Sequence, residues 1–213
     1  MENESPLSGF RFENNRLIFD GYPEGHDCYH LDTKNTRRIR NLRFAEKQLS
    51  AARQALDTFI KLPKDENHEL REAIVAGAVT FYFSVFQQGE FSPMLTPKGV
   101  FSFDNEALER HNDWRNIRDK RYNHPTRVYN EMETVLVVDE KGGFLDIVTI
   151  GFDAPLSTMH EHLQILYQLI HEASKYVDMA VEKAFQSAKA SAMKMGVDDV
   201  RALPICQIKK PDA

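Results

Sequence analysis

Residues 156–195 read LSTMHEHLQILYQLIHEASKYVDMAVEKAFQSAKASAMKM. Within them Leu163, Leu166, Ile170, Ala173, Val177, Ala180 and Ala184 trace an apolar stripe at helical spacing, and Gly196 ends the pattern. At a rise of about 1.5 Å per residue such a helix runs to roughly 60 Å. That is longer than a compact domain needs, so part of the stripe is expected to pack on a second copy of the chain.

The segments before this helix supply further helices, so the fold class expected is mainly α: a bundle of about four helices with one or two β-hairpin decorations. Thr33 to about Leu62 carries Ile39, Leu42, Leu49, Ala52, Leu56, Phe59 and Ile60 at helical spacing, and Pro63 marks its end. Glu66 to Gln88 is apolar nearly all round and is expected in the middle of the bundle. Met94 to Phe103 reads as a loop, after which Asp104 or Asn105 caps a helix reaching about Tyr122. Two hairpins are expected. One spans FRFENNRLIF at residues 10–19, around Asn14-Asn15; the other joins Thr134–Val138 to Phe144–Phe152 across a turn containing Gly142 and Gly143. The chain thus divides into an N-terminal hairpin and loop over 1–32, a helical domain over 33–203 with a hairpin insert at about 133–152, and a tail over 204–213.

A content of 42% hydrophobic and 28% charged residues places the chain among globular proteins. Its longest near-continuous apolar run, Ala73 to Phe86, falls short of the roughly 20 residues that cross a bilayer, so no membrane association is expected. The start MENESPLSGF lacks the basic and hydrophobic segments of a secretory signal, which points to the cytoplasm. Thiols normally stay reduced there, so Cys28 and Cys206, near opposite ends of the chain, are expected not to pair.

The net charge of −5 hides two basic stretches. Residues 34–53 set Lys34, Arg37, Arg38, Arg40, Arg43, Lys47 and Arg53 against Glu46 alone, and residues 110–127 are basic around Asp113 and Asp119. Such runs are either solvated helix faces or a surface that meets phosphates. The second contains HNDWRNIRDKRYNHP, His111 to Pro125, whose polar residues fall on more than one helix face. On a continuous helix Arg118 and His124 point roughly 240° apart. Pro125 pushes the residue before it out of the helical region, so His124 is expected to leave the helix and swing toward Arg118. His111, Arg115, Arg118 and Tyr122 then form one stripe, while Trp114 and Ile117 face the core.

Arg118-Asp119, four further residues and His124 resemble the arginine, polar, x4–6, histidine motif of the HEPN superfamily, whose helical bundles carry it at the end of a core helix. The resemblance spans roughly residues 34–195, and many members are RNases of toxin–antitoxin and phage-defence systems. It implies a metal-independent endoribonuclease with no cofactor. His124 exchanges the proton of an attacking 2′-OH, Arg118 clamps the phosphate as a fixed fork of donors, and Asp119 orients one of these groups or caps the dimer contact. It further implies a homodimer whose two motifs meet in one cleft, with an antitoxin protein as a further partner. RNA contacts are assigned to Arg115, Arg121, Tyr122, Asn123, His111, Arg37 and Arg40. The alternatives are a non-catalytic dimer of the same kind that binds RNA, a nucleotide or a partner protein, and a purely structural assembly protein. His26, Cys28 and His30 could ligate a metal, but no second cluster completes a site, and none is expected.

Overall fold

The computed structural model describes residues 9–13, 16–63, 68–87, 94–123, 130–153 and 160–206. Strands β1 (Phe10–Glu13) and β2 (Arg16–Phe19) precede helices α1 (Lys34–Lys61), α2 (His68–Ser84), α3 (Pro97–Val100) and α4 (Asn105–Arg118). A π-helical turn over Asp119–Asn123 continues α4; then come β3 (Asn130–Val138), β4 (Phe144–Asp153), α5 (His160–Ala192) and α6 (Val197–Arg201). The protein is mainly helical with two antiparallel hairpins among the described residues. No described helix is long and apolar enough to cross a membrane. The chain divides into two compact units, Arg40–Glu182 and a second one formed by residues 1–39 with 183–213.

Helix α1 begins where Thr33 and Thr36 satisfy each other: Thr36 N donates to Thr33 Oγ1 at 3.2 Å and Thr33 N to Thr36 Oγ1 at 2.8 Å. Its buried residues Leu42, Ala45, Leu49, Ala52, Leu56 and Phe59 repeat at three- and four-residue steps. Ile60, assigned to that stripe from the sequence, is instead exposed. Helix α2 also differs from expectation, because it buries one stripe and not its whole circumference. Arg71, Val75, Ala78, Val79, Tyr82 and Phe83 face inward while Leu70 and Phe81 are exposed. Arg71 is tolerated inside because its guanidinium lies 4.2 Å from the Phe59 ring centroid and donates to Leu62 O and Pro63 O, both at 3.2 Å. The stretch expected as a loop contains α3, one turn started by Thr96, whose side chain accepts from Gly99 N.

All seven apolar residues read from the α5 pattern are buried within a single chain. The expectation that this stripe needs a second copy therefore falls: it is covered without one. The second hairpin is the opposite case. Thr134 pairs with Thr149, Val135 with Val148 and Leu136 with Ile147, yet Leu136 and Ile147 remain 61% and 59% exposed. Its turn is closed by Asp139 Oδ1, which accepts from Lys141 N at 2.8 Å and Gly143 N at 2.7 Å, with Gly142 at φ 80 where glycine is favoured. In the first hairpin Phe10 pairs with Phe19; Asn14-Asn15 lie outside the described residues.

Because Leu166 is fully buried and Met179, on the same helix, is mostly exposed, truncation to alanine should separate them. Leu166→Ala is expected to lose about 3 kcal/mol of unfolding free energy, and Met179→Ala less than about 0.5 kcal/mol, as read from urea denaturation.

Candidate functional site

Helix α4 starts at Asp104, whose carboxylate accepts from Ala107 N at 2.9 Å, as its sequence position indicated. Its inward stripe is Ala107, His111, Trp114 and Arg118, and Arg121 on the π turn continues it. A π turn widens the ladder to i→i+5 bonds and is frequent at functional sites. Here it falls on the segment that was singled out for chemistry, beginning at Asp119.

The arrangement corrects the stripe read from the sequence. His111, Arg118 and Arg121 point inward with Trp114, at 1%, 9% and 7% exposure, whereas Ile117 is only half-buried. Arg115 stays outside, its side chain 61% exposed. The reason is that α2 offers His111, Arg118 and Arg121 each a partner. Tyr82 Oη lies 2.8 Å from His111 Nδ1, and the rings of Phe86, Phe83 and Phe101 surround the imidazole with centroids 4.6, 5.2 and 5.6 Å away. The Arg118 guanidinium carbon sits 4.7 Å from the Phe83 centroid. Arg121 Nε donates to Glu72 Oε1 at 3.0 Å. Tyr82, Phe83 and Glu72 were not singled out in the sequence, where α2 reads as an apolar run; its only signal was the pair Arg71-Glu72 near the start of that run.

Burial lowers the His111 pKa to about 4, with Arg115 and Arg118 adding to the effect. Burial also raises Tyr82 well above the ordinary phenol range, helped by Glu172. The imidazole is therefore neutral and the phenol protonated at neutral pH, and a Tyr82 O–H donating to Nδ1 leaves the proton of His111 on Nε2. Such a histidine is a packed core group, and the RNA contact expected of it does not fit its placement. Arg121 is likewise a buried ion-pair partner instead of an exposed phosphate contact.

Asp119 links the interior to the surface. Arg118 Nε donates to its Oδ1 at 2.9 Å and Arg118 Nη2 bonds the same oxygen, while Arg115 Nε approaches its Oδ2 at 3.9 Å. Arg118 thus directs two donors of one guanidinium edge at a single carboxylate oxygen. Arg115 is the accessible cation beside it. Tyr122 and Asn123 belong to the π turn; their side chains, and His124 entirely, lie outside the described residues. Arg40 is exposed on α1 in the same unit as Arg115. Arg37 belongs to the other unit, where its Nε and Nη2 hold the Asp32 carboxylate at 2.9 and 3.0 Å.

In the N-terminal loop His26 is bound on both nitrogens: Nε2 accepts from Phe19 N at 3.1 Å, and Nδ1 lies 2.9 Å from Pro23 O. Its ring ties the first hairpin to the following turn. Among the described residues no three His, Cys, Asp or Glu side chains are grouped to hold a metal. No family model, curated protein or solved structure matches the chain.

The neutral state of His111 has a consequence for stability. Below its ordinary pKa of 6.5 the unfolded chain takes up a proton that the folded chain refuses until about pH 4. The contribution is fully present above 6.5 and should decline as pH falls, by about 3 kcal/mol across the window. Urea unfolding measured from neutral pH down to pH 4 should show this slope in the native protein and a flatter one in His111→Gln.

Proposed function

We propose that this chain is a metal-independent endoribonuclease of the HEPN type, acting in the cytoplasm in a toxin–antitoxin or phage-defence role. The observation that carries the reading is the change from α to π geometry at the Arg118-Asp119 step, within a motif of the right composition at the end of a core helix. Phe83 and Asp119 hold the Arg118 guanidinium in one orientation, which is what a clamp for a developing phosphorane requires.

In the proposed reaction His124 accepts the proton of a 2′-OH, whose oxygen forms a bond to the adjacent phosphorus. The P–O5′ bond breaks, and the leaving oxygen takes a proton from the His124 of a second copy. A 2′,3′-cyclic phosphate and a 5′-OH result. Arg118 meets the non-bridging oxygens, with Asp119 exchanging its place for the phosphate, and Arg115 attracts the strand from outside.

The burial of Arg118 favours a second reading, in which the same seam is purely architectural and the chain is a non-catalytic dimer that binds RNA, a nucleotide or a partner protein.

Cleavage of RNA in excess chelator, with analysis of the fragment ends, separates the two. The nuclease reading expects cyclic phosphate ends that disappear in His124→Ala and in Arg118→Lys, since an ammonium lacks the bidentate fork. Arg115→Ala should weaken RNA binding and reduce its salt dependence by about one phosphate's worth. Full activity in His124→Ala would refute the mechanism, and no cleavage together with retained, salt-sensitive RNA binding would leave the binding module.

A further inference from the structure

Cys28 and Cys206 lie far apart in sequence but meet in space within the unit formed by residues 1–39 and 183–213. Tyr29 and Ile205 form an antiparallel bridge. On one side of it His30 N donates to Pro204 O at 2.7 Å, and on the other Cys206 N donates to Cys28 O at 2.8 Å. One step along this ladder from the Tyr29–Ile205 pair, Cys28 and Cys206 stand directly opposite each other. Opposed residues of an antiparallel pair share a face, and a hydrogen-bonded pair has a Cα separation of about 5.5 Å. That value lies inside the range of about 4.4–6.8 Å which a disulfide spans.

Both cysteines are free thiols in this structure and both are half-buried, so a small oxidant can reach them. We propose that Cys28 and Cys206 are a redox modification site, forming a reversible disulfide that fastens the segment after α6 to the loop before α1. Sequence separation is no obstacle to this bond, because Cys28–His30 pairs with Pro204–Cys206. The oxidant is a low-molecular-weight disulfide. The thiolate of one cysteine attacks it, forming a mixed disulfide and releasing one small thiol; the second protein thiolate then attacks the mixed disulfide at the protein sulfur, forming the Cys28–Cys206 bond and releasing the other. Two protein thiols are oxidised and one small disulfide is reduced to two thiols. The Cys28 thiol is pushed up mainly by burial, with Cys206 and Asp27 adding to it, so the exchange should accelerate as pH rises.

The test uses the full chain equilibrated in buffers of reduced and oxidised glutathione, quenched with acid, alkylated and weighed intact. Expected is the concerted loss of both thiols with no glutathione adduct, in a monomer-sized chain whose digest contains the linked Cys28 and Cys206 peptides. Because the bond closes a very long loop, the oxidised form should melt about 5–15 °C higher than the reduced one. Cys28→Ser and Cys206→Ser should each keep one thiol that becomes a glutathione adduct. Far-UV dichroism of both variants checks their folding, and Cys206→Ala offers an apolar replacement if a serine disturbs it. Two independent adducts on the native chain, two thiols surviving the most oxidising buffer, or a disulfide between two chains would each overturn the proposal.

Discussion

The Arg118 guanidinium lies over the Phe83 ring and donates to Asp119, and on either side of it His111 bonds Tyr82 and Arg121 bonds Glu72. A buried charge or imidazole that loses its partner costs several times what an apolar side chain loses by a small shift. Sliding α4 along α2 by one turn would strand His111 and Arg121 and take Arg118 off the Phe83 ring, so this seam fixes the register of the two helices more sharply than apolar packing could. Trp114, between His111 and Arg118 on α4, packs its indole against the His162 ring, at 6.4 Å and nearly edge-on, which brings the start of α5 to the same seam.

The parts of this fold that are legible in the sequence are those with a local signal. The aliphatic stripe from Leu163 to Ala184 needs only periodicity, the β3–β4 hairpin only its β-branched runs around a glycine-containing turn, and Asp104 announces itself as a cap. Helix α4 departs from its sequence pattern because its inner stripe includes His111, Arg118 and Arg121, residue types that periodicity assigns to the outside. Arginine and histidine act as core groups where an aromatic face or a carboxylate waits on the opposing helix, and that partner is invisible from one segment alone. The same limit hides the approach of Cys28 to Cys206, since a pairing between segments far apart in sequence leaves no local pattern.

The question of a second copy also changes its footing. The long α5 stripe gave the sequence-based reason for a dimer, but that surface is already spent on the chain's own core. Apolar area left open lies elsewhere: on both strands of the β3–β4 hairpin, and at Met179 and Phe185 on the outer side of α5. A two-stranded ribbon is marginally stable alone in water, and its strength here comes from the Asp139 turn and cross-strand pairs. Any composite site made of two motifs therefore has to be assembled by surfaces other than the stripe that first suggested it.

For the proposed reaction, burial of Arg118 is not simply an obstacle. A guanidinium in bulk water must shed its hydration before it can hold a phosphate, whereas Phe83 and the helix seam have already stripped most of that water from Arg118. The Asp119 carboxylate then acts as a resident anion that keeps the charge satisfied in the free protein. Exchanging it for a phosphorane replaces one charge-assisted pair by another with more negative charge, and the gain grows as charge develops on the non-bridging oxygens. Arg115, 3.9 Å from the other carboxylate oxygen and open to solvent, gives the displaced Asp119 a cation to turn toward. In the proposed reaction the exchange would begin with rotation of the Asp119 side chain, which at 37% exposure already borders solvent.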